Sequence, residues 1–236
     1  MLPFNAKTAF YKTRIKILKG TATFLPFPKP TLFSGPGSSL KLCEAIAQMG
    51  TRRLLIVTDA MLVEIGLIDD IKAKLSDLGV EFFIYDGVQP DPTVDQIEAG
   101  LEMLRQHDCE AILAVGGGSP IDAAKVIGAR ATNDKPVQKM EGLFRVFRAT
   151  LPLYAVPTTA GTGSEVTIAA VVSDPERQMK FAIIDPKLVP AMAALDASLM
   201  TGLPPAITAA TGMDALTHAV EAYISVNAVP ETDRHA

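Results

Sequence analysis

The sequence is short of cysteine, of charge, of long apolar runs and, before Glu44, of any acidic residue. Each shortage excludes something. Two cysteines among 236 residues cannot staple a disulfide-rich secreted fold, and no cysteine cluster has zinc-site spacing. Charged residues at 20% are too few, and hydrophobic residues at 48% too many, for a disordered chain. No apolar run approaches the roughly 18 residues needed to cross a bilayer. The apolar stretch behind the first charges is too short and interrupted for a signal peptide, so a reducing, cytoplasmic setting is expected. The balance of 22 basic against 26 acidic residues, a net charge of −4, gives no reason to expect nucleic acid as a partner. The length accommodates one large domain, or one domain and part of a second.

What charge there is falls unevenly. Lys7, Lys12, Arg14, Lys16, Lys19, Lys29 and Lys41 all precede Glu44. Tyr11, Ile15, Leu18, Ala22 and Leu25 recur at helical spacing, and Pro26, Pro28 and Pro30 follow. Residues 1–27 therefore read as a basic arm containing a short amphipathic helix. Such an arm packs on the protein or on a sister subunit, or touches an anionic membrane; the second is the less expected.

From Thr31 onward, strand-like and helix-like runs alternate. Strands are expected at 31–34, 53–58, 81–85, 111–115 and 153–156, and helices at 38–49, 68–78, 93–107 and 120–131. Ser38 or Ser39 is the expected cap of the first helix and Gly50 its stop. Continuous apolar strands separated by helices specify an α/β fold with a parallel sheet covered on both faces. Ligands bind beyond the carboxyl ends of such strands, so the loops after Thr58, Tyr85, Val115 and Val156 are the ones to inspect. Further strands are expected at 168–173, 180–184 and 192–195. From 204 to 225 the pattern is helical. The expected organisation is the arm (1–27), a nucleotide-binding α/β domain (28–200) and the beginning of an all-helical domain (201–236).

The strongest local signal is Val115-Gly116-Gly117-Gly118-Ser119-Pro120-Ile121-Asp122. Three glycines between a buried strand and a helix let a ligand approach the backbone, and the helix N-terminus offers N–H groups to a phosphate. Pro120 suits a first helical turn, and Ser119 can cap it or donate to phosphate. The same residues also suit a tight turn with no ligand, and they form neither a G-x-G-x-x-G nor a Walker motif. Asp59, ending its strand, can accept the hydroxyls of an adenosine ribose and would repel a 2′-phosphate, or it can cap a helix. Pro157-Thr158-Thr159-Ala160-Gly161-Thr162-Gly163-Ser164-Glu165 can wrap a polar ligand, or be an ordinary polar loop. Lys180 can supply a cation to that ligand, or be surface charge. Asp214 and His218, at i and i+4, can bind one divalent ion or simply hydrogen-bond each other. His107 is expected at the surface, and His235 carries no assignment.

Taken together, and in this order, Val57-Thr58-Asp59, Gly116 to Ser119 with Asp122 and Lys125, Pro157 to Glu165, and Gly212-Met213-Asp214 through His218 resemble the iron-containing (metal-dependent) alcohol dehydrogenase family. Glycerol dehydrogenase and dehydroquinate synthase are related to it. The resemblance runs from about Pro30 to the end. It implies a dehydroquinate synthase-like architecture with the active site between an α/β and a helical domain. It implies NAD as cofactor, with the pyrophosphate at Gly117, Gly118 and Ser119, further cofactor contacts from Asp122, Thr158, Thr159, Thr162 and Lys180, and the adenosine ribose at Asp59. Asp214 and His218 match the first two metal ligands, for Fe²⁺ ahead of Zn²⁺; the other two family ligands are histidines, which would fall beyond Ala236. The implied reaction moves hydride between a small alcohol or aldehyde and nicotinamide, with the metal as Lewis acid. The implied assembly is a homo-oligomer. For these 236 residues the expectation is cofactor binding with little turnover, and unusual apolar exposure over 204–225. The competing readings are a non-catalytic nucleotide-binding remnant, a lyase of the dehydroquinate synthase type and a phosphate-binding module that uses the glycine turn alone.

Overall fold

The computed structural model describes residue 13, residues 28–226 and residues 228–236. The basic helix expected within 1–27 lies, apart from Thr13, outside the described residues. The chain divides into two compact units, one of residues 29–216 and the other of residues 1–28 and 217–236.

The larger unit is built on apolar runs that are buried from both sides. β1 (Thr31–Ser34) leads into α1 (Ser38–Gln48), and β2 (Arg53–Val57) into the short α2 (Ala60–Glu64) and α3 (Asp69–Asp77). β3 (Glu81–Tyr85) precedes α4 (Val94–Gln106), and β4 (Ala111–Gly116) precedes α5 (Gly118–Thr132). β5 (Gly142–Leu143), β6 (Leu153–Pro157), β7 (Ala169–Asp174), β8 (Met179–Ile184) and β9 (Met192–Leu195) follow. Six strands form one parallel sheet in the order β1-β9-β6-β4-β2-β3. The four expected helices that cover it start and stop within two residues of the observed ones.

Side-chain alternation explains the two layers. Leu55 and Val57 of β2, with Ile112 and Ala114 of β4, point to the side covered by Ile97, Leu101 and Leu104 of α4 and Ile121, Ala124 and Ile127 of α5. Leu54, Ile56, Leu113 and Val115 point to the other side, against Leu42, Cys43 and Ile46 of α1 and Ile71 and Leu75 of α3. Cys43 and Cys109 therefore belong to different cores, and both thiols are free. Burial pushes Cys43 up to about 12 and Cys109 to about 11, so neither is a reactive thiolate.

α4 carries the strongest start signal. Thr93 accepts from the Gln96 amide, and the Gln96 side chain returns to the Thr93 amide. His107, at its C-terminal end, is half-buried and stacks on Phe83 with ring centroids 3.8 Å apart, rather than lying at the surface. α1 corrects a second expectation. Its N-cap is Gly37, in the left-handed region at φ 73°, which has no side chain to offer, and a first-turn amide is satisfied by Asp196 instead. Ser38 and Ser39 are buried in its first turn because Ser39 is drawn to Asp196, to which its hydroxyl donates at 2.7 Å.

β7 and β8, near the strands expected at 168–173 and 180–184, pair antiparallel about the turn 175–178, and β5 adds to β8 in parallel. β5 has only two residues and so no periodicity to read. α6 (Pro205–Ile224) covers most of the helical run expected at 204–225, and α7 (Pro230–His235) follows. α6 has no buried residue, and Met213, Leu216, Val220, Tyr223 and Ile224 are all exposed. Among the described residues no helix is long and apolar enough to cross a membrane.

Candidate cofactor site

The strand order locates the site. From β2 the chain moves outward to β3, then returns to place β4 on the other side of β2. The connections diverge between β2 and β4, and in open parallel sheets the crevice at such a reversal is where nucleotides lie. Asp59 stands just past the carboxyl end of β2, and the glycine turn past that of β4. β6, paired to β4 through Gly116 and Pro157, delivers the threonine loop to the same edge.

α5 begins at Gly118, two residues earlier than expected, with Gly117 as N-cap. No side chain caps this end and no acidic residue occupies its first turn, whereas α3 and α4 carry Asp69, Asp70 and Asp95 there. The N-terminus of a 15-residue helix thus lies just past the carboxyl end of β4 with no cap and no first-turn carboxylate to offset its positive end. The glycines also let the threonine loop come down onto the turn. A Cβ on Gly118 would lie 2.9 Å from Thr162 Cγ2, and one on Gly117 would lie 3.2 Å from Thr159 Oγ1. Both threonines are half-buried, and Thr158 is buried with its amide donating to Gly116 O at 2.9 Å. Across the loop, a Cβ on Gly161 would lie 2.3 Å from Thr211 O of α6.

The remaining expected residues divide between the rim and the interior. The Asp91 amide donates to Ser119 Oγ at 3.3 Å, and Lys180 Nζ lies 2.7 Å from Asp91 Oδ1. Lys180 therefore joins the rim of the glycine turn through Asp91, a residue that belongs to none of the sequence motifs. Asp59 is half-buried, and one of its oxygens accepts from the Leu62 amide, capping α2. Next to it, Thr58 Oγ1 is buried with no hydrogen-bond partner among the described residues. Asp122 turns inward: its two oxygens accept from Ser164 Oγ and from the Val171 amide. Asp214 and His218 both fall within α6, one turn apart in sequence. Among the described residues no group of three or more potential metal-ligating side chains comes together.

A dinucleotide fits these groups. The uncapped helix end and the glycine cradle suit its pyrophosphate, small hydroxyl residues stand beside them, and the Asp59 carboxylate suits a hydroxyl donor. Residues 29–197 match the family described as iron-containing alcohol dehydrogenase, and residues 208–236 match that described as Fe-containing alcohol dehydrogenase family, C-terminal. The chain belongs to the iron-containing alcohol dehydrogenase family. It is 44% identical to Alcohol dehydrogenase 4 of Schizosaccharomyces pombe, over 87% of this chain and 49% of that protein. A crystal structure of 1,3-propanediol oxidoreductase superposes with a TM-score of 0.85 at 40% identity, over 89% of this chain and 56% of that one. A sulfoacetaldehyde reductase from Bifidobacterium kashiwanohense, solved in complex with NAD⁺, superposes with a TM-score of 0.79 at 31% identity, over 86% of this chain and 54% of that one. The chain spans about half the length of the relatives it matches. Within this family of oxidoreductases acting on alcohols and aldehydes, the α/β unit described above corresponds to the larger of the two matched regions.

Proposed function

We propose that this chain binds NAD in the crevice between β2 and β4 and belongs to an NAD-dependent dehydrogenase of small alcohols or aldehyde reductase. The observation that carries the reading is the uncapped, acid-free N-terminus of α5 with the threonine loop resting on its glycines. The pyrophosphate would be held by backbone N–H groups at Gly118 and Ser119, and by Thr159 and Thr162. Lys180 would leave Asp91 for a phosphate oxygen. Thr158 would act through its backbone, keeping the loop registered on Gly116. Asp59 would receive the adenosine ribose, and Asp122 would hold the loop from behind. Residues 28–200 are the cofactor domain in this reading, 201–236 begin the helical metal-binding domain, and 1–27 are a separate arm. Bound NAD supplies the hydride acceptor.

Asp214 and His218 give a carboxylate and an imidazole, fewer than the three protein donors of a catalytic centre. In the proposed reading they are two ligands of a divalent ion that polarises the substrate oxygen once further donors complete it. With no group of three or more such donors among the described residues, the 236 residues should bind NADH but turn over alcohol poorly. A fluorescence titration with NADH should saturate. Strong alcohol-dependent NAD reduction by the purified 236-residue chain would contradict the second half of the reading, and a flat titration the first. Asp59→Ser should raise NADPH affinity roughly tenfold, because removing one carboxylate removes about 1.4 kcal/mol or more of repulsion towards a 2′-phosphate. Unchanged NADPH affinity would take Asp59 out of the ribose site.

A further inference from the structure

Lys125 is the largest side chain fully withdrawn from solvent. It lies on α5 two turns beyond the glycine turn. Its Nζ donates to Ser164 Oγ at 3.0 Å, to Thr167 Oγ1 at 2.9 Å and to Ala169 O at 2.7 Å. All three acceptors lie on the segment that runs from the threonine loop into β7. Asp122, one turn earlier on α5, grips the same segment. Ser164 Oγ donates to Asp122 Oδ1 at 2.5 Å, the Val171 amide donates to Asp122 Oδ2 at 2.9 Å, and Lys125 Nζ stands 3.8 Å from Asp122 Oδ1. The Ser164 amide in turn donates to Thr162 Oγ1 at 3.3 Å, and Thr162 is the residue that rests on Gly118.

Packing alone does not call for a charge here. A leucine or methionine would fill the space without the desolvation cost of an ammonium. What the ammonium adds is three donors of fixed direction, each spent on the segment behind the cofactor loop. We propose that Lys125 and Asp122 are positioning residues, an internal ion pair that sets the height of the threonine loop over the α5 N-terminus and thereby sets dinucleotide affinity. This rests on the NAD reading of the crevice.

The charged groups facing Nζ are Asp122 on its own helix and Glu165 on the adjoining loop. Burial lowers Lys125 to about 8, against the pull of both carboxylates. A neutral amine has two N–H groups for three acceptors; the Ser164 hydroxyl cannot make up the difference because it donates to Asp122, and the Thr167 hydroxyl can do so only by leaving the Ser164 and Ala169 carbonyls. The tether therefore loses a contact as pH rises through about 8.

The test uses the whole 236-residue chain, with NADH as the probe, and compares Lys125→Met with the unaltered protein. Affinity is measured by fluorescence from pH 6.5 to 9.5, and amide hydrogen exchange over 158–167 at one fixed pH. The unaltered chain should bind NADH several-fold more weakly above pH 8.5 than at pH 7. Lys125→Met should bind at least tenfold more weakly at pH 7 and lose that step. Its exchange over 158–167 should quicken while that of β2 and β4 stays the same. Thr167→Val removes one acceptor and no cofactor-lining group. It should show a smaller loss in the same direction, and it serves as the test if Lys125→Met does not fold. Unchanged exchange over 158–167, or a lowered melting temperature with unaltered NADH affinity and pH profile, would overturn the proposal. If the unaltered chain binds no NADH, the cofactor reading fails, and the exchange comparison alone decides the tether: quickening upholds the loop-setting role, and no change overturns it.

Discussion

Gly116→Ala is expected to abolish measurable NADH binding and to lower stability by about 3 kcal/mol. Gly116 has φ +153°, a conformation that side chains resist. A Cβ there would also lie 2.5 Å from Pro120 Cγ and 2.8 Å from Pro120 Cβ. The ring is fixed by its own backbone, so it cannot swing aside as a flexible side chain would. Relief has to come from the turn, and the turn both aims the α5 N-terminus and holds Thr158 through the Gly116 carbonyl. A loss of this size lowers the melting temperature of a chain this long by roughly 10 °C. Gly79→Ala separates conformational strain from collision. Gly79 has φ +72°, but nothing lies within 4 Å of its Cβ position. That variant should lose only about 1 kcal/mol and keep NADH affinity. If Gly116→Ala bound NADH like the parent, the glycine turn would not be the pyrophosphate site.

Asp196→Ala should cost a comparable amount, about 3 kcal/mol, without lying in the crevice. Asp196 follows β9 and is buried. Oδ2 accepts from the Ser39 amide at 3.2 Å and its hydroxyl at 2.7 Å, while Oδ1 accepts from the Ser198 amide at 3.3 Å and its hydroxyl at 2.5 Å. One carboxylate thus joins the start of α1 to a strand 157 residues later in the chain. Alanine leaves the buried Ser39 amide and hydroxyl without an acceptor, while those of the exposed Ser198 turn to water. Burial by itself would raise the carboxyl pKa, but the hydrogen bonds from Ser198 and Ser39 outweigh it and hold the group below the usual carboxylate range. The sign follows from linkage. The folded value lies below the unfolded one of about 3.9, so the stabilisation is complete above that pH and disappears as pH falls through the folded value. Asp196→Asn should remove this part of the acid sensitivity. Thermal melts between pH 3 and 7 measure both effects. A melting temperature for Asp196→Ala within about 2 °C of the parent would show that the network contributes little.

The strands and helices were legible because each writes a period into the chain. Leu54 to Val57 is continuously apolar, as a strand buried on both faces must be, and Thr93 with Gln96 spells out a helix start. β5 left no such mark, and α5 gave up its first turn to a sequence of glycines that reads as loop. The site was partly legible for a similar reason. Glycines and small hydroxyl residues after a buried strand suit a plain turn as well as a ligand, so Gly117, Gly118, Thr159 and Thr162 became candidates through the order of the motifs rather than singly. Asp91 and Ser164 did not. Asp91 reaches the glycine turn through its backbone amide, and Ser164 acts between two charged side chains of a distant helix. Asp122 and Lys125 stood in the motif, yet the sequence does not say which way a helical side chain turns.

The sequence by itself determined the α/β class, the order of strands along the chain, the candidate loops and the family resemblance. All of these depend on local patterns and short spacings. Only the tertiary structure decided the order of strands across the sheet, and with it the reversal of connections between β2 and β4. It also decided that Lys180 meets Asp91 at the rim, while Asp122 and Lys125 face inward beneath the threonine loop. These are contacts between residues 39 to 89 positions apart. They follow from which apolar faces pack together, and no spacing along the chain records that choice.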